Sequence, residues 1–411
     1  MQRTDILVVG GGIAGHTAAL AARRYYYDKK VTLVRREVRA LIPWGLAYAS
    51  AAGTLDRYVL SDAWLHQASV NLVIDGVVAI DRRNQCVTTA CGEEISYEKM
   101  ILATGSSPSP LPLKGAHLPG IFVLKKELPH LKEMQQRLAE ARNLVIVGGG
   151  LNGVEMALAC SARPQQRITL VELLPRCLAR VFNHEFCELA EEKLRQQGVE
   201  IITAAGVAEF LGRDRVEQVK LSNGLTLPAD VVILANGALP RTDLARQAGL
   251  EMDAQAGILV DDYLRTSDAA IFAAGDCAAP RSLAVPGVPL PRQARMAGQE
   301  ARVAAANLFT LQRRWENAVA RFAVAIGDLA LGAVGLVKDL ALEARMVEPP
   351  FASISTVVTG DLTVRVAYGR ENGITLGALV QGQPQVRVRE TMDYLATAIQ
   401  QQTPFAELVL A

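Results

Sequence analysis

Two sets of three glycines stand where this chain could bring bare backbone up to a phosphate. Gly148, Gly150 and Gly153 directly follow the apolar run Leu144-Val145-Ile146-Val147. Gly10, Gly12 and Gly15 follow Asp5-Ile6-Leu7-Val8-Val9 in the same way. Both read G-x-G-x-x-G, and the spacing assigns each glycine a task. The first makes a tight turn, the second lets a pyrophosphate approach the backbone, and the third lets a helix pack on a strand. The amides at the start of that helix have no partner within it and face the phosphates. A second apolar run, Ile168-Thr169-Leu170-Val171, ends on Glu172, at the distance where an acid can accept hydrogen bonds from both hydroxyls of a ribose.

The first set departs from this pattern. Its partner strand, 31–34, ends on Arg35 where the ribose acid is expected, and the nearest carboxylate is Glu37. Glu37 takes that role, or backbone alone holds the ribose. Two such sites in one chain suggest two different dinucleotides exchanging electrons. Glu172 is followed by Leu173-Leu174, and Arg176 is the first basic residue. A carboxylate there repels a 2′-phosphate, so NADH is expected rather than NADPH.

The remaining chemistry-bearing residues are sparse. The five histidines are isolated, and no Cys/His spacing resembles a metal site. Cys86 and Cys91 have C-x-x-x-x-C spacing, but they fall on a strand and a hairpin turn, and the expectation is structural. Cys277 reads as a small buried residue. With 43 Lys+Arg against 42 Asp+Glu, the net charge of +1 points to neither nucleic acid nor an anionic membrane. No secretory leader or membrane-length apolar run is read, and scattered cysteines fit reduced thiols, so the expected location is cytoplasmic.

A chain of 411 residues predicts two or three domains. Helices are expected over 16–24, 126–142, 156–161, 184–197, 293–308 and 388–400. Segments 70–80, 87–89 and 94–96 read as one antiparallel meander, and 199–227 as a second. Segment 106–115, rich in proline and serine, reads as a linker. In Ile42-Pro43-Trp44-Gly45-Leu46-Ala47-Tyr48, a proline and a glycine bracket a tryptophan, which suggests a turn leading into a helix. Segments 100–105 and 231–237 read as buried strands ending in small residues, and 271–277 as a buried strand that delivers Asp276 at the end where ligands of parallel sheets collect. From about residue 321 the pattern alternates, with strands expected over 322–326, 352–358 and 362–368.

Taken together, Gly10 to Gly15, Ala103-Thr104-Gly105, Gly148 to Glu155, Ala235-Asn236-Gly237 and Gly275-Asp276 resemble the motif series of the FAD/NAD-dependent pyridine nucleotide-disulfide oxidoreductase family. Residues 42–48 and the C-terminal region look most like its NADH oxidase and coenzyme A disulfide reductase branch. The resemblance implies an α/β fold: two nested Rossmann-like dinucleotide-binding domains with small antiparallel meanders, plus a C-terminal α+β interface domain. The expected boundaries are 1–112 with 240–315 for FAD, 113–239 for NAD, and 316–411 for a homodimer interface. It implies FAD on Gly10, Gly12, Ile13, Ala14 and Gly15, with Glu37, Pro43, Ala103, Thr104, Gly105, Gly275 and Asp276 contributing, and Asp276 on the ribityl chain. It implies NADH on Gly148, Gly150, Leu151, Asn152 and Gly153, with Glu172 and Gly237 contributing and Glu155 near the stacking face. Hydride would then pass from the nicotinamide to flavin N5.

Relatives carry a redox cysteine in a segment reading Cys-Gly-Leu-Pro-Tyr. Here Trp44 occupies the cysteine position, Tyr48 closes the segment, and no cysteine precedes Cys86. Disulfide reduction by the relay of that family is therefore not expected, and Trp44 and Tyr48 would line the acceptor face. Three readings follow. One is an FAD-dependent NADH:acceptor oxidoreductase working on oxygen, a quinone or a redox protein. Another is the flavin subunit of a complex with an iron–sulfur or rubredoxin-like partner. The third is a redox-inactive FAD/NAD-binding scaffold or sensor.

Overall fold

A computed structural model describes residues 2–42, 54–163, 165–253, 255–280, 292–316, 319–335, 352–383 and 385–410. Its apolar runs become the middles of two parallel sheets. In the first, the order is Ile271–Ala273, Lys99–Leu102, Ile6–Val9, Val31–Arg35, Asn71–Ile74. In the second it is Ile121–Val123, Val231–Leu234, Asn143–Val147, Arg167–Val171, Val199–Ile202. Every pairing in both is parallel. Parallel sheets are covered on both faces, so their strands carry continuous apolar side chains rather than an alternation. Ile6–Val9 is buried at every position, and so is Val231–Leu234.

The helices lie slightly differently from expectation. The two that follow the glycine turns run Ile13–Tyr25 and Leu151–Ser161, starting earlier than 16 and 156 because the third glycine of each set lies inside the first turn. Leu128–Glu140 is amphipathic, with Leu128, Leu131, Met134 and Leu138 on its buried face. His184–Gln196 and Ala294–Ala306 match the expected helices to within two residues.

Both expected meanders need correction at their first strand. The run over 70–80 is two strands, broken at Asp75-Gly76. Asn71–Ile74 pairs parallel with Val31–Arg35, while Val77–Asp81 turns back onto Cys86–Thr89. Likewise Val199–Ile202 belongs to the second parallel sheet, and only Val207–Leu211, Gln218–Leu221 and Thr226–Pro228 form the meander. Segment 106–115 is also more than a linker. Ser106–Pro108 pairs antiparallel with Ala238–Pro240, so the two crossings between the parallel sheets are hydrogen-bonded to each other.

The C-terminal region is a five-stranded antiparallel sheet in the order Arg321–Ile326, Leu329–Gly335, Thr375–Gly382, Leu362–Gly369, Ala352–Thr359. The helix Gln385–Gln400 lays Val388, Met392, Leu395, Ala396 and Ile399 on one face of it. On the other face, Ile326, Leu331 and Leu379 share a core with Cys160 and Phe186 from helices of the second parallel sheet. Lys193 and Asp328 form an ion pair at 2.7 Å across this junction, and Arg365 pairs with Glu185. No helix among the described residues is long and apolar enough to cross a membrane.

Candidate dinucleotide-binding sites

At the carboxyl ends of the central strands the two glycine turns repeat one another. Gly10 and Gly148 have φ of +115° and +108°, a conformation that disfavours any side chain. A Cβ at Gly10 would collide with the Ala103 carbonyl, and one at Gly148 with the Ala235 carbonyl. A Cβ at Gly15 or Gly153 would strike the carbonyl of Gly10 or Gly148, so the helix can sit this close only without one. Gly12 and Gly150 differ: a Cβ at either meets nothing within 4 Å. Both cap their helices without a side-chain hydrogen bond, and neither helix has an acid in its first turn. Each turn is thus an open concavity of backbone at a helix N-terminus, the setting a pyrophosphate requires. The residues present fit two dinucleotides.

The partner strands end differently. Glu172 turns its carboxylate into its own glycine loop, where Oε2 accepts the Gly149 N–H at 2.5 Å and Oε1 the Leu174 N–H at 2.7 Å. Leu173 beside it is exposed. Arg35, at the matching place in the first sheet, is 2% exposed. It pairs with Asp62 through both terminal nitrogens, at 2.7 and 2.6 Å. Glu37 is half-buried two residues on.

Asp276 follows the strand Ile271–Ala273 as expected. Its Oδ2 accepts from Ser106 Oγ at 2.7 Å and lies 3.5 Å from Lys126 Nζ. The preceding Gly275 has φ of +79°, and its N–H is accepted by Glu300 Oε2 at 2.6 Å. Glu300 is 5% exposed. Burial pushes its carboxyl up to about 8, opposed by the Gly275 N–H and assisted by Asp276. The Thr104 hydroxyl donates to the Arg241 carbonyl at 2.7 Å, and the Arg241 N–H to the Gly105 carbonyl at 2.9 Å, which ties the end of Lys99–Leu102 to the second crossing. Gly237 accepts the Ser109 N–H at 2.9 Å. Beside these crossings a cavity of about 320 Å³ opens between Ser107, Val123, Lys125, Leu234 and Arg241.

Glu155 is half-buried in the helix Leu151–Ser161, and burial alone raises its carboxyl above the ordinary range. Ile13, Ala14, Leu151 and Asn152 occupy the first turns of the two helices. Pro43, Trp44 and Tyr48 lie outside the described residues. Cys86 is buried on its strand, Cys91 is exposed at the turn, and they are not bonded to each other. Cys277 is fully buried. Among the described residues no group of His, Cys, Asp and Glu could hold a metal ion.

Ser106, Lys126, Asp62, His16 and Glu300 were not apparent from sequence. Only Glu300 left a trace there, as a lone acid amid the alanines of 294–306.

Residues 4–301 match the pyridine nucleotide-disulphide oxidoreductase family. This chain belongs to that family. Rubredoxin-NAD(+) reductase of Pseudomonas putida is 34% identical to it over 68% of this chain and 73% of its own length. NADH oxidase of Methanocaldococcus jannaschii is 26% identical, over 80% of this chain and 75% of its own. A NAD-dependent persulfide reductase from A. fulgidus superposes with a TM-score of 0.90 at 25% identity, covering 99% of this chain and 79% of that one. As a member of the family the chain is an FAD-dependent NAD(P)H oxidoreductase with the α/β fold.

Proposed function

We propose that the chain carries electrons from NADH to a small redox protein of the rubredoxin or ferredoxin class, through FAD and without a thiol relay. The observation that carries this reading is the duplicated glycine concavity, open at Gly12 and at Gly150 and closed around the other four glycines. FAD is assigned to the first turn, with Gly10, Gly12, Ile13, Ala14, Gly15, Glu37, Pro43, Ala103, Thr104, Gly105, Gly275 and Asp276. NADH is assigned to the second, with Gly148, Gly150, Leu151, Asn152, Gly153, Glu172 and Gly237. Bound there, the flavin supplies a hydride acceptor that can release electrons one at a time.

The protein's own share is binding, orientation and charge. The helix N-termini at Gly12 and Gly150 oppose the negative phosphates. Ser106 and Lys126 fix the Asp276 carboxylate, so its remaining lone pairs are aimed before a ribityl hydroxyl arrives. Glu155 has no hydrogen-bond partner among the described residues, and we assign it to the nicotinamide side, where it can hold a proton. We favour NADH over NADPH because a carboxylate at Glu172, with the exposed aliphatic Leu173 beside it, would repel a 2′-phosphate and offer it no cation. We assign FAD to 1–112 with 240–315, NAD to 113–239, and a homodimer contact to 316–411. Six cysteines outside any disulfide fit a reducing cytoplasm.

The choice of a protein acceptor draws on two facts. The relative at 34% identity is a rubredoxin reductase, and the resemblance of residues 42–48 to the family's segment assigns Trp44 to the place of the relay thiol. Anaerobic mixing with NADH should bleach the flavin absorbance. A rubredoxin or iron–sulfur ferredoxin should then reoxidise the protein faster than disulfides or polysulfide do. Native protein without flavin, or flavin that NADH leaves oxidised, would end the reading.

A further inference from the structure

The arginine at the ribose-acid position has no room to touch a ligand. The Arg35 side chain is 0% exposed, and its stem lies against the backbone at Gly11, where a Cβ would crowd it. A guanidinium has five N–H donors, and each of these has an acceptor. Nε donates to the Glu37 carbonyl at 2.8 Å. Nη2 donates to the Val38 carbonyl at 2.8 Å and to Asp62 Oδ2 at 2.6 Å. Nη1 donates to Asp62 Oδ1 at 2.7 Å and faces His16 Nε2 at 3.5 Å. His16 Nδ1 lies 2.9 Å from the Gly11 carbonyl, so that nitrogen carries the proton and Nε2 is left to accept. One buried side chain therefore joins the glycine turn, the start of the helix Ala63–Gln67 and residues 37 and 38 beyond its own strand.

Those two residues include Glu37. Its carboxylate has no hydrogen-bond partner among the described residues, and it lies within electrostatic reach of Arg241 across the carboxyl edge of the first sheet. Two of the five donors fix the backbone that carries it. We propose that Arg35 is a positioning residue for the adenosine half of FAD: it braces the 37–38 backbone against Asp62 and presents the Glu37 carboxylate to the ribose hydroxyls. The acid of this site is thus displaced by two residues, and an arginine fills the vacated place as its support. The inference rests on the assignment of FAD to the first glycine turn.

The test is FAD and FMN binding to apoprotein, followed by flavin fluorescence, for wild type, Arg35→Lys, Glu37→Gln and the double variant. Arg35→Lys keeps the charge and loses the fork. Each single variant should weaken FAD about ten- to a hundredfold, the worth of a charge-assisted hydrogen bond. The double variant should be no weaker than the weaker single, because Arg35 acts only through Glu37. FMN, which lacks the adenosine, should bind all four alike. Unchanged FAD affinity in Arg35→Lys, or losses that multiply in the double variant, would overturn the proposal. Should Arg35→Lys not fold, Asp62→Asn removes the brace from the other side, and the same two outcomes decide. A wild-type apoprotein that takes up no FAD would instead sink the assignment beneath it.

Discussion

The Glu300 carboxyl accepts the Gly275 N–H at 2.6 Å, at the turn that carries Asp276. Two acids therefore meet at one turn in opposite settings. Asp276 has Ser106 and Lys126 beside it, while Glu300 is buried with one amide. The pKa of Glu300 rises from 4.5 to about 8 on folding, so the folded chain holds the proton more tightly than the unfolded one. The stability this contributes is fully present below about 4.5 and is lost as the pH rises through about 8. Glu300→Gln, which cannot ionise, should gain on wild type across that window. Thermal melts of both proteins from pH 4.5 to 9 check it; parallel curves would refute it.

The glycines should separate by role. Gly12 has φ of −75° and ψ of −168°, an ordinary extended conformation with open space around it. Gly12→Val and Gly150→Val should fold, with unchanged circular dichroism, and weaken FAD and NADH respectively by about ten- to a hundredfold through overpacking. Gly15→Val should give little soluble protein, because its side chain meets the Gly10 carbonyl.

Glu172→Gln removes the charge at the corner we assign to the ribose and keeps an acceptor for one of the two amides, Gly149 or Leu174, that the two carboxylate oxygens hold. The ratio of NADPH to NADH affinity should rise roughly tenfold, about 1.4 kcal/mol of relieved repulsion. Titration with each nucleotide measures it.

Burial raises the Glu155 carboxyl above its ordinary value. Protonated Glu155 resembles glutamine, so wild type and Glu155→Gln should reduce flavin at the same rate at low pH and diverge as pH rises through that ionisation. Stopped-flow rates against pH give the comparison. Identical profiles would show that the carboxylate takes no part.

Trp44→Ala should alter acceptor turnover much more than flavin reduction by NADH. Steady-state assays with a rubredoxin, set beside single-turnover reduction, separate the two. Equal effects on both, or none, would assign the indole to packing.

What could be read in advance divides by range. Buried strands announce themselves as unbroken apolar runs, and the glycine turns depend on residues within a few positions of one another, so most strands of both parallel sheets were legible. Neighbours in a sheet were not. Whether Asn71–Ile74 continues into a meander or joins Val31–Arg35 depends on a break at Asp75-Gly76 and on pairing with residues about forty positions away. Leu329–Gly335 and Thr375–Gly382 were not legible because each carries an internal glycine, Gly332 or Gly377, that blurs an alternating pattern. The substitution at Arg35 was visible, but its partner was not. Asp62 lies beyond an intervening segment, and only the folded chain brings the two carboxylate oxygens to the guanidinium.

The two parallel sheets share one spatial order, yet their outermost strands are threaded from opposite directions. Ile271–Ala273 is the last strand of the first sheet to be made, and Ile121–Val123 is the first of the second. Each unit is therefore a circular permutant of the other. Such rethreading needs the cut ends to lie side by side, and the antiparallel pair Ser106–Pro108 and Ala238–Pro240 is that seam. A nucleotide fold with adjoining ends can be spliced whole into a loop of its twin, leaving the register of every host strand untouched.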